Sequence, residues 1–174
     1  MARECLTLVR RICRYAAHMH LMRPLEIQVT LPKTTPVQTK VLEKSEQQQV
    51  QCYVRRSPTT RKVGLLLMMQ MGLRIGEVCG LQWGDFDLAA GVLSIRRTVK
   101  RVYIAAQKTK VLVQSPKTQS SVRQIPIPRS ILLMLKQLHS DHKAEDWFLS
   151  GNAQKPVEPR CYRKSLHGYL RQAS

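Results

Sequence analysis

Two short stretches contain the residues best suited to phosphate chemistry. In MGLRIGEVCGLQWGDFD, Met71 to Asp87, Arg74 follows a glycine at a helix junction and Glu77 lies three residues on. On a helix these two share a face, so the carboxylate can hold the guanidinium in one orientation. By itself such a pair is also what an ordinary surface ion pair looks like, and exposed pairs are weak. The second stretch, SPKTQSSVRQIPIP, puts Lys117 in a turn between two β-rich segments. A lysine there can reach a partner, or it can serve only to solubilise a turn.

The elements that must position these residues follow from periodicity and punctuation. In Arg3 to Leu21, Leu6, Val9, Ile12, Cys13, Ala16, Ala17 and His20 recur at three- and four-residue steps, while Arg10, Arg14 and His18 form a second stripe. This predicts an amphipathic helix with one cationic face. Pro24, Pro32 and Pro36, set among β-branched residues without helical period, predict an extended linker over residues 23–40. Helix formers return from Val41, Ser57-Pro58 interrupts them, and Thr59 or Thr60 caps a second helix that Gly72 ends. A short helical turn covers Ile75 to Leu81, with Trp83, Asp85 and Asp87 in a turn after it. Val92 to Val102, VLVQS near Val111 and SVRQIPIP from Ser121 predict a three-stranded meander with PKTQS as its last turn. Pro128 then opens a helix, WFLS is a short apolar stretch, and PRCYRKSLHGYLRQAS predicts a final helix. The fold class expected is α+β, mainly helical, with a small three-stranded antiparallel sheet.

Charge sets the partner class. The 174 residues carry 29 Lys and Arg against 11 Asp and Glu, a formal balance of +18, with 43% hydrophobic and 23% charged residues. That composition suits a folded domain and disfavours an acidic small-molecule substrate. A polyanion is the expected partner. Arg10, Arg14, Arg96, Lys100, Lys108, Lys110 and Arg123 are the residues expected to face phosphates, with a solvated surface as the alternative for each. Only 2 Trp, 5 Tyr and 2 Phe are present and they are dispersed, so single-stranded RNA, which is held by aromatic stacking, ranks last.

No apolar run approaches the roughly 20 residues of a membrane helix, and the N-terminus has no secretory pattern, so neither a membrane partner nor export is expected. The expected location is the cytoplasm, in association with the nucleoid. Cys5, Cys13, Cys52, Cys79 and Cys161 form no CxxC pair and have no histidine spacing beside them. They are read as reduced, mostly buried thiols, with no zinc site, no disulfide framework and no cofactor.

The segment GLRIGEVCGLQWGDFD, followed after intervening strands by PKTQSSVRQIPIP, resembles the catalytic domain of the tyrosine recombinase, or phage integrase, family. WFLS and the helix after Pro159 extend the resemblance, and RYAAHMHLM with the proline-rich linker resembles the end of that family's core-binding domain. The resemblance implies residues 1–22 as the last helix of a core-binding domain, 23–40 as linker and 41–174 as the N-terminal part of a catalytic domain. It implies Arg74 as the first active-site arginine, Glu77 as the acid supporting it and Lys117 as the hairpin lysine. Transfer of a DNA phosphodiester to tyrosine passes through a phosphorane with extra negative charge, which a guanidinium stabilises, and the departing 5′ oxygen needs a proton, which Lys117 would deliver. No metal is required for that chemistry.

The family also uses a His-x-x-Arg segment and a nucleophilic tyrosine. His167 and Arg171 are four apart, and Tyr162 and Tyr169 fit one face of a helix better than a nucleophile's position. The chain is therefore expected to be a piece of a longer recombinase that binds double-stranded DNA, with other protomers as further partners, and is inactive alone. The alternative is a non-catalytic DNA-binding or regulatory module on the same scaffold.

Overall fold

The computed structural model describes residues 2–24, 41–104, 108–115, 122–140 and 142–173; of Ala2 and Lys108 it describes the backbone alone. The chain divides into two units, Met1–Val41 and Leu42–Ser174. Among its described residues the first contains one helix, α1 (Ala2–His18). Its end is marked by His20 at φ 56°, with the Leu21 N–H returning to the Ala16 carbonyl at 2.9 Å. Leu8, Ile12, Tyr15 and Met19, one face at helical spacing, are all exposed.

The second unit runs α2 (Lys44–Arg56), α3 (Thr60–Met71), α4 (Ile75–Cys79), a 3-10 turn at Trp83–Asp85, β1 (Phe86–Asp87), β2 (Val92–Ile95), β3 (Thr98–Ile104), β4 (Lys108–Gln114), β5 (Arg123–Pro126), α5 (Arg129–Leu138) and α6 (Pro159–Ala173). Local chemistry explains the boundaries. Thr59 Oγ1 accepts from the Lys62 N–H at 3.3 Å and starts α3. Gly72, at φ 67°, ends it in the left-handed region where a side chain would be strained.

A three-stranded antiparallel sheet is present, but its membership differs from the meander expected. Its order is β1-β2-β5, and β3 pairs with β4 as a separate two-stranded ribbon. The continuous strand predicted over Val92 to Val102 is broken at Arg96 and Arg97. The reason is a buried carboxylate. Arg97 turns back to donate to both oxygens of Asp85, at 3.2 and 3.3 Å, and also to the Gln82 side-chain oxygen. Asp85 is 3% exposed, and an uncompensated charge there would be costly. Its carboxyl is pushed above its ordinary value by burial, with the Gln82 N–H and Arg97 opposing. After this kink β3 and β4 continue as a ribbon in the register Thr98↔Gln114 to Ile104↔Lys108, while β5 returns to β2 with Ile95 opposite Arg123.

One core joins the helices to the three-stranded sheet. α3 packs on α5 and α6, and α4 lies against β3 and α6. Leu66, Leu67, Leu93, Ile95, Ile131 and Leu135 are at most 1% exposed, each contributing about 1.5–3 kcal/mol of apolar burial. Trp83, Phe86 and Phe148 add a tilted aromatic cluster with ring centroids 5.0 to 5.7 Å apart. The core thus closes directly under α4, the element that carries Glu77 and is capped by Arg74.

Candidate active site and nucleic-acid interface

Arg74 is the residue that opens α4, in extended backbone conformation at φ −74° and ψ 148°. Buried Leu73 anchors the chain just before it, so a side chain at the next position can project outward. Gly76 has a steric task. A Cβ there would lie 2.7 Å from Thr98 Oγ1 and 2.8 Å from the Val99 carbonyl oxygen, so only glycine lets α4 approach β3 this closely.

Glu77, 7% exposed, accepts four hydrogen bonds. Oε2 receives the Arg74 backbone N–H at 2.8 Å and Arg123 Nη2 at 2.9 Å; Oε1 receives Arg123 Nη1 at 2.9 Å and Arg74 Nη1 at 3.2 Å. Burial alone would push this carboxyl up. The Arg123 pair, the Arg74 N–H and the neighbouring positive charge outweigh it and hold the carboxyl below its ordinary value. The Arg74 side chain, by contrast, is 80% exposed and makes one contact with the carboxylate. The expected pairing of Arg74 with Glu77 is thus present, together with a second and tighter arginine partner.

The depressed carboxyl has a consequence for stability. A carboxyl lowered by folding contributes stability that is complete above its unfolded value and is lost as pH falls through the folded one. Glu77→Gln should therefore cost on the order of 2 kcal/mol near pH 7. The gap between variant and parent should close in acid, as read from urea midpoints at pH 7 and pH 3.

Lys117 lies outside the described residues. Arg123 sits at the first position of β5 and directs both terminal nitrogens to Glu77, unlike the phosphate-facing orientation expected from sequence. Arg96 is exposed in the break after β2, so it does not share a strand with Lys100 as expected. Lys100 and Lys110 are exposed, and the register puts them on one face of the β3-β4 ribbon. Lys108 is the first residue of β4, opposite Ile104. On α1, Arg14 is exposed and Arg10 partly so. Among the described residues no group of three or more His, Cys, Asp or Glu is placed to hold a metal ion.

Sequence reasoning missed one surface. Arg160, Lys164, His167 and Arg171 recur at steps of four, three and four along α6, and all are exposed, with exposed Arg163 beside them. Tyr162 and Leu166 on the opposite face are buried. The signal is present in the sequence as a three- and four-residue period of basic residues within PRCYRKSLHGYLRQA. α6 is fixed at its start by Arg101, which donates through Nε and Nη2 to the two oxygens of Glu158 at 2.6 and 2.5 Å.

Tyr162 is fully buried and its hydroxyl donates to the Arg61 carbonyl at 2.7 Å, tying α6 to α3. Burial pushes the phenol well above its ordinary value, which leaves it a poor nucleophile. Of the five cysteines expected to be mostly buried, Cys79 alone is; Cys5, Cys52 and Cys161 are exposed and Cys13 partly so. The Cys79 thiol is pushed up to about 12, first by burial and then by Cys161 and Glu158, so it stays protonated and unreactive.

The fold matches the Tn1549 transposon integrase in complex with transposon right end DNA, with a TM-score of 0.63 at 18% identity over 83% of this chain and 49% of that one. It also matches a lambda integrase tetramer bound to a Holliday junction, with a TM-score of 0.55 at 14% identity over 97% of this chain and 44% of that one. A protein described as tyrosine recombinase XerC-like, from Caldanaerobacter subterraneus subsp. tengcongensis, is 38% identical over 95 residues, covering 52% of this chain and 24% of that protein. The chain thus spans about half the length of the matched structures. Residues 40–174 match the model of the phage integrase family, and the chain belongs to that family, the tyrosine recombinases.

Proposed function

We propose that this chain is a DNA-binding part of a site-specific tyrosine recombinase, with Arg74 as its phosphate-activating arginine, Glu77 as the acid that orients it and Lys117 as the acid that protonates the departing 5′ oxygen. The observation that carries this reading is the Arg74 guanidinium, tethered to a buried carboxylate yet 80% exposed. A surface ion pair has little need of a buried, four-times-bonded acceptor, whereas a guanidinium meant for a transition state has to be oriented beforehand. Duplex DNA is the substrate class, met by Arg74, Arg96, Lys100, Lys110 and the cationic face of α6, with Lys108 as a further contact. Arg10 and Arg14 would add contacts from α1, in keeping with residues 1–22 as the last helix of a core-binding domain, 23–40 as linker and 41–174 as the start of the catalytic domain. Other protomers on the same DNA are the expected protein partners, and the nucleoid in the cytoplasm is the expected location.

No step requires a metal or cofactor. The one His-x-x-Arg in the sequence, His20 to Arg23, comes before Arg74 and not after the hairpin lysine where the family has its own, and no tyrosine here matches the nucleophile's position, so these 174 residues by themselves are expected to bind DNA without cleaving it. The test is a nicked suicide duplex that traps any covalent protein–DNA adduct. The expected result is saturable duplex binding at 50 mM salt with no adduct from the 174-residue chain. An adduct mapped to Tyr162 or Tyr169 would overturn the assignment of roles, and absence of duplex binding would overturn the DNA reading itself.

A further inference from the structure

The Glu77 carboxylate has two arginine partners that use it differently. Arg123 approaches in fork geometry, one terminal nitrogen to each oxygen, both at 2.9 Å. Arg74 contributes its backbone N–H to Oε2 and reaches Oε1 with Nη1 alone, at 3.2 Å. The planar fork of a guanidinium matches the two oxygens of a carboxylate, so a lone arginine beside a buried glutamate closes on it bidentately. Here that position is already filled. A third of the Arg123 side chain reaches water, against 80% for Arg74, so the inner arginine takes the carboxylate and the outer one is left at the surface.

We propose that Arg123 is a positioning residue that saturates Glu77, so that Arg74 is tethered by one contact and keeps the rest of its guanidinium available to a DNA phosphate. This rests on the reading of Arg74 as a phosphate ligand. Two consequences distinguish it from a merely structural tie between α4 and β5. Removing Arg123 should close Arg74 onto Glu77 without unfolding the protein, because the carboxylate keeps one cation. The effect on DNA should also pass through Arg74, so it should vanish when Arg74 is absent.

The experiment uses the 174-residue chain with Arg123→Ala, Arg123→Lys, Arg74→Ala and the Arg74→Ala/Arg123→Ala double variant. Two quantities are read: proton exchange at Arg74 Nε by 15N NMR, and affinity for a short duplex DNA across salt concentrations. In Arg123→Ala, exchange at Arg74 should slow several-fold and duplex affinity should fall by up to about tenfold near 0.1 M salt, the worth of one phosphate contact. Arg123→Lys, whose ammonium is a single point and cannot take both oxygens, should fall between. Arg123→Ala should cost nothing further in the Arg74→Ala background. Unchanged exchange at Arg74 in both Arg123 variants, or an equal loss of affinity with and without Arg74, would overturn the proposal. If Arg74 exchange slows as expected while Arg74→Ala binds DNA like the parent, the saturation of Glu77 stands and the phosphate role of Arg74 fails.

Discussion

Arg74→Ala should cut DNA cleavage by roughly a thousandfold or more in a protein extended or complemented to supply the His-x-x-Arg segment and a nucleophilic tyrosine. The loss is large because the guanidinium contact strengthens as charge builds on the non-bridging oxygens, so its removal raises the barrier more than it weakens the bound ground state. Duplex affinity should fall by less than about tenfold, since one phosphate contact among several is lost. Lys117→Ala should slow cleavage for a different reason, the missing proton at the 5′ leaving oxygen. A 5′-phosphorothiolate substrate, whose leaving sulfur needs no proton, separates the two. It should restore most of the activity of Lys117→Ala and little of that of Arg74→Ala. Single-turnover cleavage of the two substrates checks this, and equal rescue of both variants, or of neither, would show that at least one role is misassigned.

Duplex affinity should fall about a thousandfold between 50 and 200 mM salt if about six phosphates are neutralised, because each contact releases close to one condensed counterion. The formal charge of +18 makes that number of contacts attainable. Exposed Arg74, Arg96, Lys100 and Lys110, with Arg160, Lys164 and Arg171 on α6, offer more than enough cations. Fluorescence anisotropy with a labelled duplex gives the slope of log affinity against log salt. Charge reversal of Arg160 and Lys164 should flatten that slope while leaving the buried face, Tyr162 and Leu166, intact. Removing Met1 to Met22 should flatten it as well, because Arg10 and Arg14 leave with that segment. A slope near zero would mean that the surplus charge does not meet DNA.

The helices were legible from sequence because their signals are local. A hydroxyl at Thr59, a glycine at position 72 and residues repeating every three or four positions act within a turn or two of themselves, and the observed boundaries of α3 follow from them directly. The same holds for the Arg74 and Glu77 pair, the residue that caps one short helix and the acid three positions on. The cationic excess is likewise a property of composition alone. The strands were legible as β-rich segments, but not their partners. Whether Val92 to Val102 stays straight depended on Asp85, a buried charge more than ten residues back that draws Arg97 out of the ladder. That kink lets β3 and β4 leave as their own ribbon while β5 comes home to β2.

From that crossing comes the arrangement no local pattern could announce. Arg123 lies 46 residues from Glu77 along the chain, yet it reaches both oxygens because β5 pairs beside β2, within reach of α4. Arg101 meets Glu158 across 57 residues, and the Tyr162 hydroxyl meets the Arg61 carbonyl across 101. Sequence by itself determined the cationic excess and the near spacing of Arg74 and Glu77, since both depend only on residue type and position. The tertiary structure decided which cations face water and which are held by a buried carboxylate. That division depends on where low-dielectric core meets solvent, and only the packed chain sets that boundary.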